Sequence, residues 1–315
     1  MTTQTPITEL VTHSGGFHAD ELLSSVVLTR LYPGAKLVRT RDAQTTSPRD
    51  GRIIYDVGRE YDVARAIFDH HQKNAPLRPD GRPYSSFGLI WHHFGLTYLG
   101  ALQVPADHAA EIHARIDAEF VVPVDLMDNG ALDPSVAGPL AGLTLPVLLE
   151  TLKPVFDQRE ADADDLAFQA ALPVARAFLE AAVRTKAAKA RAEGIVTAAI
   201  QAAGPSRVLE LPMGMPFRAA IEKAGADHIL FVVHPRDKDW AINTIRQQED
   251  KFENRADLPA AWAGLTDTAL EAASGVTGAT FCHNGRFIAV ASTRAAAMQM
   301  ADLAVQDFER QAREA

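Results

Sequence analysis

With 315 residues, 47% of them apolar and 23% charged, the chain has the balance of a globular protein, long enough for two domains without a covalent staple. Its single cysteine, Cys282, excludes an intrachain disulfide. A formal charge of −9 excludes a polybasic nucleic-acid binder, but not a nucleic-acid substrate met through metal ions and a few local arginines.

Residues Met1 to Glu9 lack the basic and apolar segments of a signal peptide. No stretch is expected to reach the ~20 apolar residues of a membrane helix, so a cytoplasmic protein with no membrane contact is anticipated. Glu9-Leu10-Val11-Thr12 predicts a short strand. Asp20 to Leu31 predicts a helix, with Leu22, Leu23, Val26, Val27 and Leu31 at helical spacing and Tyr32-Pro33-Gly34 to stop it. Lys36 to Arg39 and Arg52 to Val57 predict two further strands. This order implies an α/β domain with a parallel sheet and a ligand crevice at the strands' carboxyl ends. Helices are predicted over Ser85 to Tyr98 and Asp107 to Phe120, the second broken or kinked by Pro123 ahead of Asp125 to Gly130. An Ala-rich helix from about Asp162 to Ala203, kinked at Pro173 and ended by Gly204-Pro205, reads as a connector. Beyond Ser206, strands are predicted over Val208 to Leu211, Ile229 to Val233 and Trp240 to Ile245. Asn284-Gly285 predicts a two-residue hairpin turn between Thr280 to His283 and Arg286 to Val290, and a helix follows from Thr293. The expected domains are residues 1–190, including the helical connector, and a smaller α+β domain over 205–315.

Four places carry the chemistry. Thr12-His13-Ser14-Gly15-Gly16-Phe17-His18-Ala19-Asp20-Glu21 lies where the first strand ends and the first helix begins. Asp56-Val57-Gly58 ends a strand, Asp69-His70-His71 follows the apolar run Ala66-Ile67-Phe68, and Val124-Asp125-Leu126-Met127-Asp128-Asn129-Gly130 comes last. Taken singly, each has an ordinary reading as a helix cap, a turn or a surface histidine. Jointly they place imidazoles and carboxylates at the ends of successive elements, a donor set suited to Mn²⁺, and a bridging aspartate can hold two ions about 3.5–4 Å apart. No cysteine takes part, which argues against structural zinc.

These four motifs resemble those of the DHH phosphoesterase superfamily, and the first, matched by Thr12 to Glu21, resembles the melanocyte-proliferating-gene family of metal-dependent hydrolases. The resemblance continues through Val38 to Asp42, Phe68 to Gln72, Ser85 to Trp91, Trp262 to Leu265 and Ser274 to Gly278. It implies an N-terminal DHH-like domain. It also implies that His13, His18 and Asp56 hold one ion, and that Asp20, Asp56, His70 and either Asp128, slightly preferred, or Asp125 hold the other. His71 would face the scissile phosphate, and Asp69 would orient a ligand histidine. Phe281 to Ile288 resembles the family's last motif, which implies substrate contacts for His283 and Arg286, although Ala289-Val290 stand where the family has two glycines. Phe231, Trp240, Phe252 and Phe287 are expected in the core rather than stacked on bases, and His92, His93, His108, His113 and Cys282 are read as structural.

The resulting expectation is a phosphodiesterase with two Mn²⁺ per chain, Mg²⁺ being the alternative ion. It would act as a 3′–5′ exonuclease on single-stranded RNA or short oligonucleotides, with homodimerisation open. Two alternatives stand beside it: a small-molecule nucleotide or pyrophosphate phosphohydrolase, and a metal-binding regulatory protein with a vestigial site.

Overall fold

A computed structural model describes residues 5–247 and 253–314, which leaves Phe252 outside the described residues. The chain forms two compact units, Met1–Ala187 and Ala188–Ala315.

The first unit runs β1 (Glu9–Thr12), α1 (Ala19–Leu31), β2 (Lys36–Arg39), β3 (Arg52–Tyr55), β4 (Tyr61–Asp62), β5 (Ile67–Phe68), α2 (Ser86–Ala101), α3 (Ala106–Ile116), α4 (Val122–Asp128), α5 (Leu145–Glu150) and the start of α6 (Ala163–Ala203). Its sheet has the order β2-β1-β3-β5-β4, parallel throughout except for β4 on the edge. The chain leaves β1 toward β2 on one side and returns to β3 on the other, so a crevice opens at the carboxyl ends of β1 and β3, as open parallel sheets provide. Leu10, Val11, Ile53, Ile54 and Tyr55 are buried, the mark of a sheet covered on both faces.

Helix α1 is buried from Ala19 to Leu28 rather than along one stripe, so its polar residues need internal partners. Ser25 Oγ donates to the Glu21 carbonyl at 2.7 Å and lies 2.6 Å from Tyr55 Oη, while Ser24 Oγ lies 3.3 Å from Ser86 Oγ. The predicted break at Pro123 does not occur. A π-helical turn over Asp117–Val121 carries α3 into α4, whose first turn accepts Pro123, where a missing N–H costs nothing.

Helix α6 is continuous through Pro173, and by length and composition it is apolar enough to cross a membrane, which corrects the expectation that no stretch is. Much of that hydropathy comes from alanine. Phe168, Ala171, Ala175, Leu179 and Val183 form a fully buried seam at helical spacing in the first unit.

The second unit contains the end of α6, β6 (Val208–Glu210), α7 (Arg218–Lys223), β7 (Phe231–Pro235), β8 (Trp240–Thr244), α8 (Asp267–Ser274), β9 (Ala279–Cys282), β10 (Ile288–Ala291) and α9 (Arg294–Glu314). Its mixed sheet has the order β6-β7-β8-β10-β9. The two-residue turn predicted at Asn284-Gly285 is replaced by a longer loop. Arg286 N–H closes a turn on the His283 carbonyl at 2.8 Å, His283 N–H pairs with Ile288 O at 3.0 Å, and Arg286 takes the left-handed conformation at φ 54°. Phe231 is core and Trp240 packs against it, as expected, but Phe287 is 45% exposed beside the His283 ring and is not core.

Candidate metal centre

The strand ends deliver the predicted residues to one cleft in the first unit. His13 follows β1, Asp56 follows β3, and Asp69, His70 and His71 follow β5. The first turn of α1 brings Asp20 and Glu21, and the last turn of α4 brings Asp128. Asp56 sits in the left-handed region at φ 53°, a conformation that aspartate tolerates better than most residues but that still stores strain, as functional sites often do. That turn places its carboxylate between two imidazoles: Oδ2 is 3.1 Å from His13 Nε2 and Oδ1 is 3.2 Å from His70 Nε2. His13 Nε2 also lies 3.1 Å from Glu21 Oε1, and His70 Nε2 lies 3.3 Å from Asp128 Oδ2 and 4.0 Å from Asp20 Oδ2.

The far ring nitrogens are held from behind. Asn129 Nδ2 donates to the carbonyls of Tyr84 (3.0 Å) and Asp125 (2.9 Å), which leaves Oδ1 facing His70 Nδ1 at 3.4 Å. His13 Nδ1 faces the Ser14 carbonyl at 3.2 Å and Arg41 Nη2 at 3.1 Å. With the His70 proton drawn to Nδ1 by Asn129, a bare Nε2 would aim its lone pair at three carboxylates, so the position demands a cation.

The titration behaviour says the same. Burial alone would lower the His13 pKa, but hydrogen bonds to Asp56 and Glu21 raise it to about 10. Burial likewise opposes the hydrogen bond and charge of Asp56 and the charges of Asp20 and Asp128, which raise His70 to about 9. Asp56 stays ionised, its burial outweighed by the two histidines, whereas burial first and neighbouring acids second push Asp128 and Glu21 upward. In the metal-free protein, protons therefore occupy the places where cations belong. The donor set fits divalent ions on structural grounds too: Asp20 Oδ1, Asp56 Oδ1 and His70 Nε2 are buried and have no aligned hydrogen-bond partner among the described residues. His13 and Glu21 with either His18 or Asp56 could hold one ion, and Asp20, Asp56, His70 and Asp128 another.

Four sequence expectations change. Glu21 enters the site although no role was read for it; it is fully buried, and its carboxylate also accepts the His18 backbone N–H at 2.9 Å. The helix-capping spacing from His18 to Glu21 accounts for the bond to the His18 N–H but not for the contact with His13. His18 is exposed and its ring groups with His13 and Glu21, or with Asp20 and Asp128, rather than with His13 and Asp56. Asp69 does not orient the ring of His70. It accepts His71 Nδ1–H at 2.7 Å and the backbone N–H groups of Arg59 (2.6 Å), His70 (2.7 Å) and His71 (3.1 Å), so the residue it aims is His71, whose side chain is 56% exposed. Asp125 is not at the site. Its carboxylate accepts from Arg78 Nη2 (2.7 Å), Ser85 Oγ (2.7 Å) and the Gly88 N–H (3.0 Å), and a Cβ on Gly88 would stand 2.1 Å from Asp125 Oδ2. Ser86 Oγ meanwhile donates to Asp20 Oδ2 at 2.7 Å. The Ser85-Ser86-Phe87-Gly88 motif thus holds two carboxylates, one structural and one facing the cleft.

His283 and Arg286 lie in the second unit. His283 Nδ1 accepts the Gly285 N–H at 2.9 Å within its own loop, and Arg286 Nη2 pairs with Asp257 Oδ2 at 2.7 Å, so both side chains are engaged within the second unit. His113 stacks on Trp91, His93 pairs with Tyr61 Oη at 2.7 Å, and Cys282 is a buried strand-end thiol pushed up to about 11 by burial, in keeping with structural readings.

A parallel sheet whose carboxyl edge gathers imidazoles and carboxylates around one shared aspartate defines a metal-dependent hydrolase. The chain matches the model of an uncharacterised protein family, UPF0160, over residues 9–305. The MYG1 exonuclease of Homo sapiens is 31% identical over 92% of this chain and 84% of its own length, and that of Rattus norvegicus is 30% identical over 92% and 82%. A MYG1 protein of Schizosaccharomyces pombe is 29% identical over 96% of this chain and 98% of its own. The chain belongs to this MYG1 family. Among solved structures, RecJ of Thermus thermophilus in complex with Mg²⁺ is a distant likeness that covers 95% of this chain and 50% of its own, at 13% identity and a TM-score of 0.28.

Proposed function

We propose that this chain is a metal-dependent exonuclease that shortens single-stranded RNA or short oligonucleotides from the 3′ end, working with two Mn²⁺ ions. The observation that carries the reading is Asp56, a strained, ionised carboxylate with an imidazole on each oxygen and a further carboxylate meeting the same nitrogen of each imidazole. Relatives named exonucleases, similar over nearly the whole chain, support the nucleic-acid part. A bound pair of divalent ions would supply Lewis-acid polarisation and charge neutralisation at the phosphoryl group.

The chain supplies the rest. Glu21 and Asp56 set His13, while Asn129 sets His70. Asp69 raises the His71 pKa through its hydrogen bond to Nδ1 and leaves the other edge of an exposed ring free, so His71 holds a proton for a phosphoryl or departing oxygen. The experiment is hydrolysis by Mn²⁺-loaded protein of end-labelled single-stranded RNA and DNA, with pyrophosphate and cyclic dinucleotides in parallel. Stepwise shortening of RNA from the 3′ end is the expected result. Turnover of pyrophosphate or a dinucleotide alone would replace this reading with a small-molecule phosphohydrolase.

A further inference from the structure

Exposed basic residues of the first unit mostly have acidic partners: Arg49 pairs with Glu9, Arg65 with Glu60 and Arg82 with Asp80. Arg41, Arg59 and Lys73 are exposed and form no ion pair among the described residues. Their placement follows the sheet. Strands β2, β3 and β5 end at Arg39, Tyr55 and Phe68, and one of these three cations comes two to five residues after each end, on the edge that holds the cleft.

Arg41 is seated there directly. Its Nε donates to the Ser14 carbonyl at 3.2 Å, and its Nη2 lies 3.1 Å from His13 Nδ1, on the side of the ring away from Glu21 and Asp56. The backbone N–H of Arg59 donates to Asp69 at 2.6 Å, beside the carboxylate that aims His71, and Lys73 follows His71 by two residues. Each cation therefore flanks a ligand segment without neutralising it: the acids turn inward and the bases stay outside. Lys36, which also forms no ion pair among the described residues, is at the opposite, amino end of β2.

We infer that Arg41, Arg59 and Lys73 form a rim that grips the backbone phosphates of a single-stranded nucleic acid next to the bond being cut. This rests on the exonuclease reading and deepens it. It also offers a chain of net charge −9 a way to meet a polyanion, by placing three unpaired cations at the mouth of the cleft. Arginine suits the task because its guanidinium meets phosphate with two donors at once.

The test is equilibrium binding of a short labelled single-stranded oligonucleotide with a cleavage-resistant phosphorothioate backbone to metal-loaded protein, repeated from about 50 to 200 mM salt. Each phosphate contact on a single strand contributes about 0.7 to the slope of log affinity against log salt, so the triple variant Arg41→Gln/Arg59→Gln/Lys73→Gln is expected to lose about 2 from that slope. At the higher salt it should bind roughly 10- to 100-fold more weakly. Because Arg41 touches His13, the double variant Arg59→Gln/Lys73→Gln is measured too. It leaves that contact intact and should keep its metal while losing about 1.4 from the slope. Lys36→Gln should change neither slope nor affinity. If wild type cuts and binds the strand while the double and triple variants keep its slope, the rim is overturned and the exonuclease reading stands. An equal loss in Lys36→Gln would reduce the effect to net charge and overturn the rim as well. If wild type neither binds nor cuts single strands, the exonuclease reading falls and takes the rim with it.

Discussion

Helix α4 serves two buried polar clusters that look alike in composition and differ in completeness. On one side, Asp125 is met by Arg78, Ser85 and the Gly88 N–H, and the cluster is closed. On the other, three residues along, Asp128 joins Asp20, Asp56 and His70, where Asp20 Oδ1, Asp56 Oδ1 and His70 Nε2 lack aligned partners. The closed cluster satisfies its own charges and acts as a strut. The open one is a set of donors arranged for a cation the chain does not itself provide. What separates the two clusters is that convergent carboxylates and an imidazole are left without aligned partners in one of them only.

The largest effect should come from opening the closed cluster. Arg78→Ala leaves Asp125 buried and unpaired, so it should cost about 3–5 kcal/mol in chemical denaturation. A loss under about 1 kcal/mol, the worth of a surface pair, would erase the distinction. Next is His71→Asn, which removes the proton-bearing ring but no buried ligand. The hydrolysis rate should fall roughly 100-fold, about 2.7 kcal/mol of barrier, with metal content unchanged. Loss of metal in that variant would place His71 among the ligands. Asn129→Leu should weaken metal binding about 10- to 100-fold by calorimetry, because His70 then loses the acceptor that fixes its Nδ1 proton. An unchanged affinity would show that the Asn129 contact does no such orienting.

A pH series sharpens the open cluster further. His13 and His70 are raised to about 10 and about 9 from an ordinary 6.5, so in metal-free protein their ion pairs contribute fully below pH 6.5. That contribution is lost as the pH climbs through 9 and 10. Metal must displace the same protons. Its affinity should therefore rise between about pH 6 and 9, with proton release visible as a dependence of the binding enthalpy on buffer. A flat profile with no proton release would mean that the imidazoles do not meet the ions.

Much of this was legible in the sequence because β1, α1, β2 and β3 combine short apolar runs with local stop signals, and because the motif residues sit at strand ends where topology alone brings them together. The choice between Asp125 and Asp128 was not legible. They lie three residues apart on one short helix, and what separates them is a contact with Arg78, a residue distant in sequence that carries no motif of its own. Glu21 was hidden for a related reason: a helix-cap spacing predicts its bond to the His18 N–H but not its contact with His13 across the crevice. The hairpin failed locally, since Asn284-Gly285 favours a two-residue turn and the chain instead places Arg286 in the left-handed position, tied to Asp257.

In the proposed centre, Asp56 is shared between two metal positions. Elemental analysis of protein equilibrated with Mn²⁺ and freed of excess ion tests it most directly. About two ions are expected per wild-type chain and one or none in Asp56→Asn, with that variant still folded by circular dichroism. Two ions retained in Asp56→Asn, or none in the wild type, would contradict it.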